Sequence, residues 1–130
     1  MNWKLIVVLS LFGLAMGFAT VYFVSAQAEP FYWLCIFVVS AFFVARNCWS
    51  NYFLHGLFTG LLNAGWIILI HLLLFNTYLA NHPVEAKMIT DPSGALSPKM
   101  VIVVMGLIAG ALSGCVLGLF CYIASRMLNN

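Results

Sequence analysis

Asn63 and His71 are the two residues whose chemistry stands out, because both lie inside an apolar run from Tyr52 to Phe75. Gly56, Gly60, Asn63, Ile67, His71 and Leu74 follow one another at intervals of three or four residues, so the amide and the imidazole share a helical stripe with the glycines. An ionisable group in so apolar a segment suggests a proton relay, an ion path or a ligand to haem or metal. A haem would need a second axial ligand, and no other apolar run contains a histidine. The plainer expectation is that Asn63, Trp66 and His71 bond to neighbours within a helical bundle.

The remaining candidates are weaker. His55 falls on an adjacent face near one end of the run, and His82 lies in the hydrophilic stretch that follows. His71, His82 and Glu85 match no recognised zinc spacing, and His82, Glu85 and Asp91 form no recognised catalytic constellation. Cys35, Cys48, Cys115 and Cys121 contain no CxxC pair, and a six-residue separation turns Cys115 about 240° from Cys121 on a helix. They read as small packing residues. No cofactor, no metal site and no enzymatic activity are expected.

Small residues form the clearest pattern. Gly106, Gly110, Gly114 and Gly118 recur every fourth residue, and Ser10, Gly13, Gly17 and Thr20 form a similar stripe nearer the N-terminus. Such stripes let another helix approach to backbone contact, which replaces the hydrophobic drive that lipid removes. They seat either the helices of one chain against each other or a helix of a second copy or partner subunit.

The elements that must position these residues follow from composition. Of 130 residues, 65% are hydrophobic and 6% charged, against roughly 45–50% and about 25% in a soluble domain. So few charges cannot cover a water-facing surface of this size. The expected fold class is an all-α integral membrane protein, a four-transmembrane-helix bundle with one longer extracytoplasmic loop. A formal net charge of +2, carried by scattered basic residues, does not suggest nucleic acid as a partner.

Four runs supply the helices. The first, Leu5 to Val24, holds 20 residues without a charge, longer than the ~7–15 of a secretory leader. A retained helix is therefore expected, although Ala26-Gln27-Ala28 has the small-x-small form of a leader cleavage site. Glu29-Pro30 turns the chain into the second run. Its uncharged part, Phe31 to Ala45, is 15 residues, about 22 Å as a helix, so it is expected to continue through Trp49 to approach a ~30 Å core. Ser97 and Pro98 mark the N-cap and first position of the last helix. The spans are expected at about residues 4–25, 31–49, 52–76 and 99–124 of a single membrane domain covering 1–130. The outer loop, 77–98, is expected to carry one or two helical turns after Pro83 and a turn at Asp91-Pro92-Ser93-Gly94.

Orientation rests on Lys4, Arg46 and Arg126 at one side against Lys87 and Lys99 at the other. By the positive-inside rule both termini are expected in the cytoplasm, with a bacterial-type inner membrane as the setting. The chain resembles small multidrug transporters in length, yet its first span lacks the embedded glutamate on which they depend. It also lacks the paired cysteines of disulfide-generating membrane proteins. The expected role is a non-enzymatic helix-packing component, as a homo-oligomer or an accessory subunit. The alternative is a small channel or transporter whose polar path passes Asn63 and His71, with His71 as its pH-sensitive element.

Overall fold

The computed structural model describes residues 1–128 of the chain. The described residues form six helices: α1 (Trp3–Tyr22), α2 (Glu29–Asn47), α3 (Tyr52–Leu73), α4 (Phe75–Asn81), α5 (Pro83–Ile89) and α6 (Pro98–Leu128). Among them α1, α2, α3 and α6 are long and apolar enough to cross a membrane.

Local signals explain the ends. The Asn2 side chain accepts from the Leu5 N–H at 3.1 Å and caps α1. Pro30 occupies the first turn of α2, where its missing N–H costs nothing. Asn51 opens α3 with φ 55°, a left-handed backbone that asparagine tolerates better than most residues. Ser97 Oγ faces the Met100 N–H at a long 3.4 Å at the start of α6.

Several expected boundaries shift. α1 stops at Tyr22 rather than residue 25, because the chain turns through Phe23 to Ala28. α2 begins two residues earlier than expected and ends at Asn47. Cys48 is extended, and Trp49 stands 97% exposed beyond the helix. The 19 residues of α2 nevertheless measure about 28 Å. The third run breaks at Leu74, and α4 takes up Phe75 to Asn81, which the sequence assigned partly to the span and partly to the loop. α5 begins at Pro83, where helical turns were expected. α6 has 31 residues, about 46 Å; it starts at Pro98, the first position expected, and runs to Leu128 rather than residue 124.

The long helices are not packed evenly around one axis. α3 is central, lying along α6 on one side and α1 on the other, while α2 leans mainly on α6. The α3–α6 pair is antiparallel and in four-residue register: Gly56 faces Gly118, Gly60 faces Gly114, Ala64 faces Gly110 and Ile68 faces Gly106. A Cβ added at Gly60 would fall 2.8 Å from the Gly114 nitrogen, and one at Gly118 would fall 2.8 Å from the Phe53 carbonyl oxygen. Only glycine permits that approach. An apolar cluster of Leu9, Phe37, Ala41, Val44, Leu117 and Cys121 joins α2 to α1 and α6.

Candidate functional site

The polar side chains that bond between long helices gather on the α1–α3 seam. These two helices run in the same direction, as their bonds show from one end to the other. The Asn2 N–H donates to His55 Nε2 at 2.8 Å, and His55 Nδ1 lies 2.9 Å from the Asn51 carbonyl oxygen. Because Nε2 accepts, the ring proton belongs on Nδ1, facing that carbonyl. Further along, the Gly13 N–H donates to Asn63 Oδ1 at 2.9 Å, and Trp66 Nε1 donates to Ser10 Oγ at 3.2 Å. At the far end Thr20 Oγ1 lies 2.8 Å from the Met16 carbonyl oxygen and 2.9 Å from His71 Nε2. A hydroxyl that donates to the carbonyl accepts from the imidazole.

The glycines on α3 and the Asn63–His71 pair therefore sit on neighbouring stripes rather than one. Gly56 and Gly60 meet α6, whereas Asn63 and His71 turn to α1. A succession at three or four residues drifts around a helix, and two partner helices divide it between them. Gly13 lies against the Asn63 backbone and amide, and a Cβ added at Gly17 would fall 3.1 Å from the Ile70 side chain. Gly106, Gly110, Gly114 and Gly118 all face α3. The grooves singled out in the sequence are thus occupied by this chain's own helices.

The break at Leu74 brings α4 back over the end of the seam. Tyr78 lies between two imidazoles, with ring centroids 4.2 Å from His71 and 4.7 Å from His82, both stacked. His82 Nε2 meets the Thr20 carbonyl oxygen, and Asn81 Nδ2 donates to the Val21 carbonyl oxygen at 2.7 Å. His82 Nδ1 is 3.9 Å from Glu85 Oε2. Burial pushes the Tyr78 phenol above its ordinary 10.0, and the nearby Glu85 and Glu29 carboxylates add to the rise. The sequence grouped His71 and His82 only with Glu85, in a zinc set of unrecognised spacing, and did not join Tyr78 to them, because Tyr78 reaches both through the turn at Leu74.

Among the described residues, no group of three or more His, Cys, Asp or Glu side chains is placed to hold a metal ion. Cys35 and Cys115 are exposed, while Cys48 and Cys121 are buried; all four are free thiols.

Asn63 is incompletely bonded. It is 2% exposed, and Nδ2 has no acceptor, a condition shared with Ser40 Oγ. The residue also forms part of the wall of a partly open cavity of about 540 Å³ between α2, α3 and α6. A second opening, about 470 Å³, lies between α1 and α2 near Lys4 and Asn47. Comparison with protein-family models, curated proteins and solved structures found no match.

Proposed function

We propose that the chain is a non-enzymatic component of a lipid bilayer that works by lateral association, as a homo-oligomer or as an accessory subunit of a larger assembly. The observation that carries this reading is the uneven division of packing. α1, α3 and α6 spend their glycine stripes on each other, and α1 and α3 share the bonds of Asn63, Trp66 and His71, while α2 rests mainly on α6. Phe31, Leu34, Val38 and Phe42 remain exposed along α2. In this reading a second membrane helix docks on α2, since α3 already covers the glycine ridge of α6. Both termini face the cytoplasm in this reading, in a bacterial-type inner membrane, with α4 and α5 on the opposite side.

A photo-crosslinking residue at Val38 in native membranes tests it. Capture of one defined protein, or of a second copy, is the expected result. A monomer in mild detergent and in bilayers, with no crosslinked protein from Val38, would remove the basis for the reading.

A second reading is favoured by the stacked His71, Tyr78 and His82, which run from the α1–α3 seam into α4 and its C-terminal cap. In it the chain is a small channel or transporter with a polar path past Asn63 and His71. Proton or small-ion flux into proteoliposomes that falls in His71→Ala and Asn63→Ala would support it; flux that is absent or insensitive to both would eliminate it.

A further inference from the structure

The opening between α1 and α2 is polar at one end and apolar along the rest. It holds about 470 Å³, within the usual ~300–1,000 Å³ of a small-molecule site. Asn2, Lys4 and Asn47 line it toward the start of α1, and Val8, Phe12 and Phe43 line it further in. All three of these apolar side chains are exposed, because α2 leans mainly on α6 and leaves this part of α1 uncovered.

The polar end has bonding capacity to spare. Asn2 Oδ1 accepts from the Leu5 N–H, and Asn47 Nδ2 donates to the Phe43 carbonyl oxygen at 2.8 Å, which leaves Asn2 Nδ2 and Asn47 Oδ1 open to a ligand. Lys4 forms no ion pair among the described residues. The three acidic side chains of the sequence lie at the opposite end of the bundle: Glu29 begins α2, Glu85 belongs to α5 and Asp91 follows it. Arg46 and Arg126 share the end with Lys4 and lie over the rings of Phe42 and Tyr122. This end therefore carries three cationic side chains and no acidic one.

Depth follows the same gradient. The 20 residues of α1 measure about 30 Å, the thickness of a hydrocarbon core, so in a bilayer Lys4 in the first turn stands at headgroup level. Phe12 lies about 12 Å deeper, among acyl chains. An occupant that satisfies the whole cleft is anionic at one end and apolar along the other. A free anion would leave Val8, Phe12 and Phe43 uncovered, and a plain hydrocarbon would leave Lys4 unpaired.

We propose that this cleft holds one anionic phospholipid of the phosphatidylglycerol type. The phosphate accepts from Lys4 Nζ and Asn2 Nδ2, a headgroup hydroxyl donates to Asn47 Oδ1, and one acyl chain lies along Val8, Phe12 and Phe43. A choline or ethanolamine headgroup would bring a cation that no acidic side chain at this end receives. The proposal needs a lipid setting but does not depend on self-association or on flux.

Native mass spectrometry of the full chain in mild detergent tests it, with dioleoyl-phosphatidylglycerol as the probe, dioleoyl-phosphatidylcholine as the zwitterion with the same acyl chains, and glycerol phosphate as the anion without them. One retained phosphatidylglycerol per chain is expected, roughly fivefold preferred over phosphatidylcholine, the factor that one lysine gains against anionic lipid. Glycerol phosphate should not compete. Lys4→Gln should erase the preference, and Lys99→Gln, at the other end of the bundle, should leave it intact. Val8→Trp should abolish retention by filling the apolar part of the cleft, whereas Val7→Trp, about as exposed but off the cleft, should not. Equal retention of the two lipids, an equal loss of preference in Lys4→Gln and Lys99→Gln, or full retention by Val8→Trp would each overturn the proposal. Competition by glycerol phosphate would assign the polar end to a free anion, and a dimer that holds no lipid and is lost in Val8→Trp would assign the cleft to a second copy; either result would overturn it too.

Discussion

His71 shows how much of a residue's role depends on its partners. The imidazole could be recognised in the sequence as out of place, but its bond to Thr20 Oγ1 and its stacking on Tyr78 come from two other helices. Thr20→Val and His71→Ala, singly and together, should give a coupling of about 0.6 kcal/mol in unfolding measurements, the usual size of a polar contact between apolar helices in lipid. Tyr78 should keep its phenolic proton after exposed tyrosines have lost theirs, since burial and two carboxylates oppose its anion. The raised folded value means that its contribution to stability holds below 10.0 and fades as pH rises further. An ultraviolet titration of the chain and of Tyr78→Phe would expose the late-titrating group. Asp91 moves the other way: the Ser93 backbone N–H and hydroxyl bond its carboxylate and hold it below its ordinary 3.8. A depressed folded value gives stability that is present above 3.8 and lost as pH falls through the folded value. Ser93→Ala should bring the Asp91 titration, followed by NMR, back toward 3.8. The Asx turn behind it was legible in Asp91-Pro92-Ser93-Gly94, because the bonds it uses are local.

At the scale of elements, the α3–α6 pair depends on shape rather than on bonds between side chains. Gly114→Leu should lower stability by about 3 kcal/mol, the upper end for overpacking, because the Leu57 carbonyl oxygen lies 2.9 Å from the added Cβ and backbone has little room to yield. Gly65 has nothing within 4 Å of an added Cβ, so Gly65→Ala should be neutral or stabilising by up to about 1 kcal/mol. Thermal unfolding of both variants in one detergent separates the groove glycines from the incidental one. The stripe on α6 was readable from its strict four-residue repeat. Its counterpart was only half readable: Gly56 and Gly60 were visible as small, but Ala64 and Ile68 complete the register and attract no notice in a helix this apolar. The break between α3 and α4 was not readable at all. Neither proline nor glycine marks Leu74, and the apolar run continues through it.

For the whole molecule, four long apolar helices place the start of α1 and the end of α6 at the end of the bundle opposite α4 and α5. Reporter fusions at the C-terminus should be active only in the cytoplasm, and an external C-terminus would reverse the proposed orientation. In native membranes a lipophilic maleimide should label Cys35 and Cys115 well before Cys48 and Cys121, because the latter two are closed off by α2 and α6. The sequence by itself determined the helical class, the number of long helices, the small-residue stripes and the turn chemistry of the loop. Those properties rest on composition, on the 3.6-residue period and on contacts a few residues apart. Only the tertiary structure decided that the glycine stripes serve this chain's own packing, that α3 divides its polar and small residues between two partners, and that α2 leans mainly on α6. The physical reason is that a helix surface offers the same apolar stripe to any neighbour, so which neighbour fills it is settled by the register and backbone approach of all four helices together.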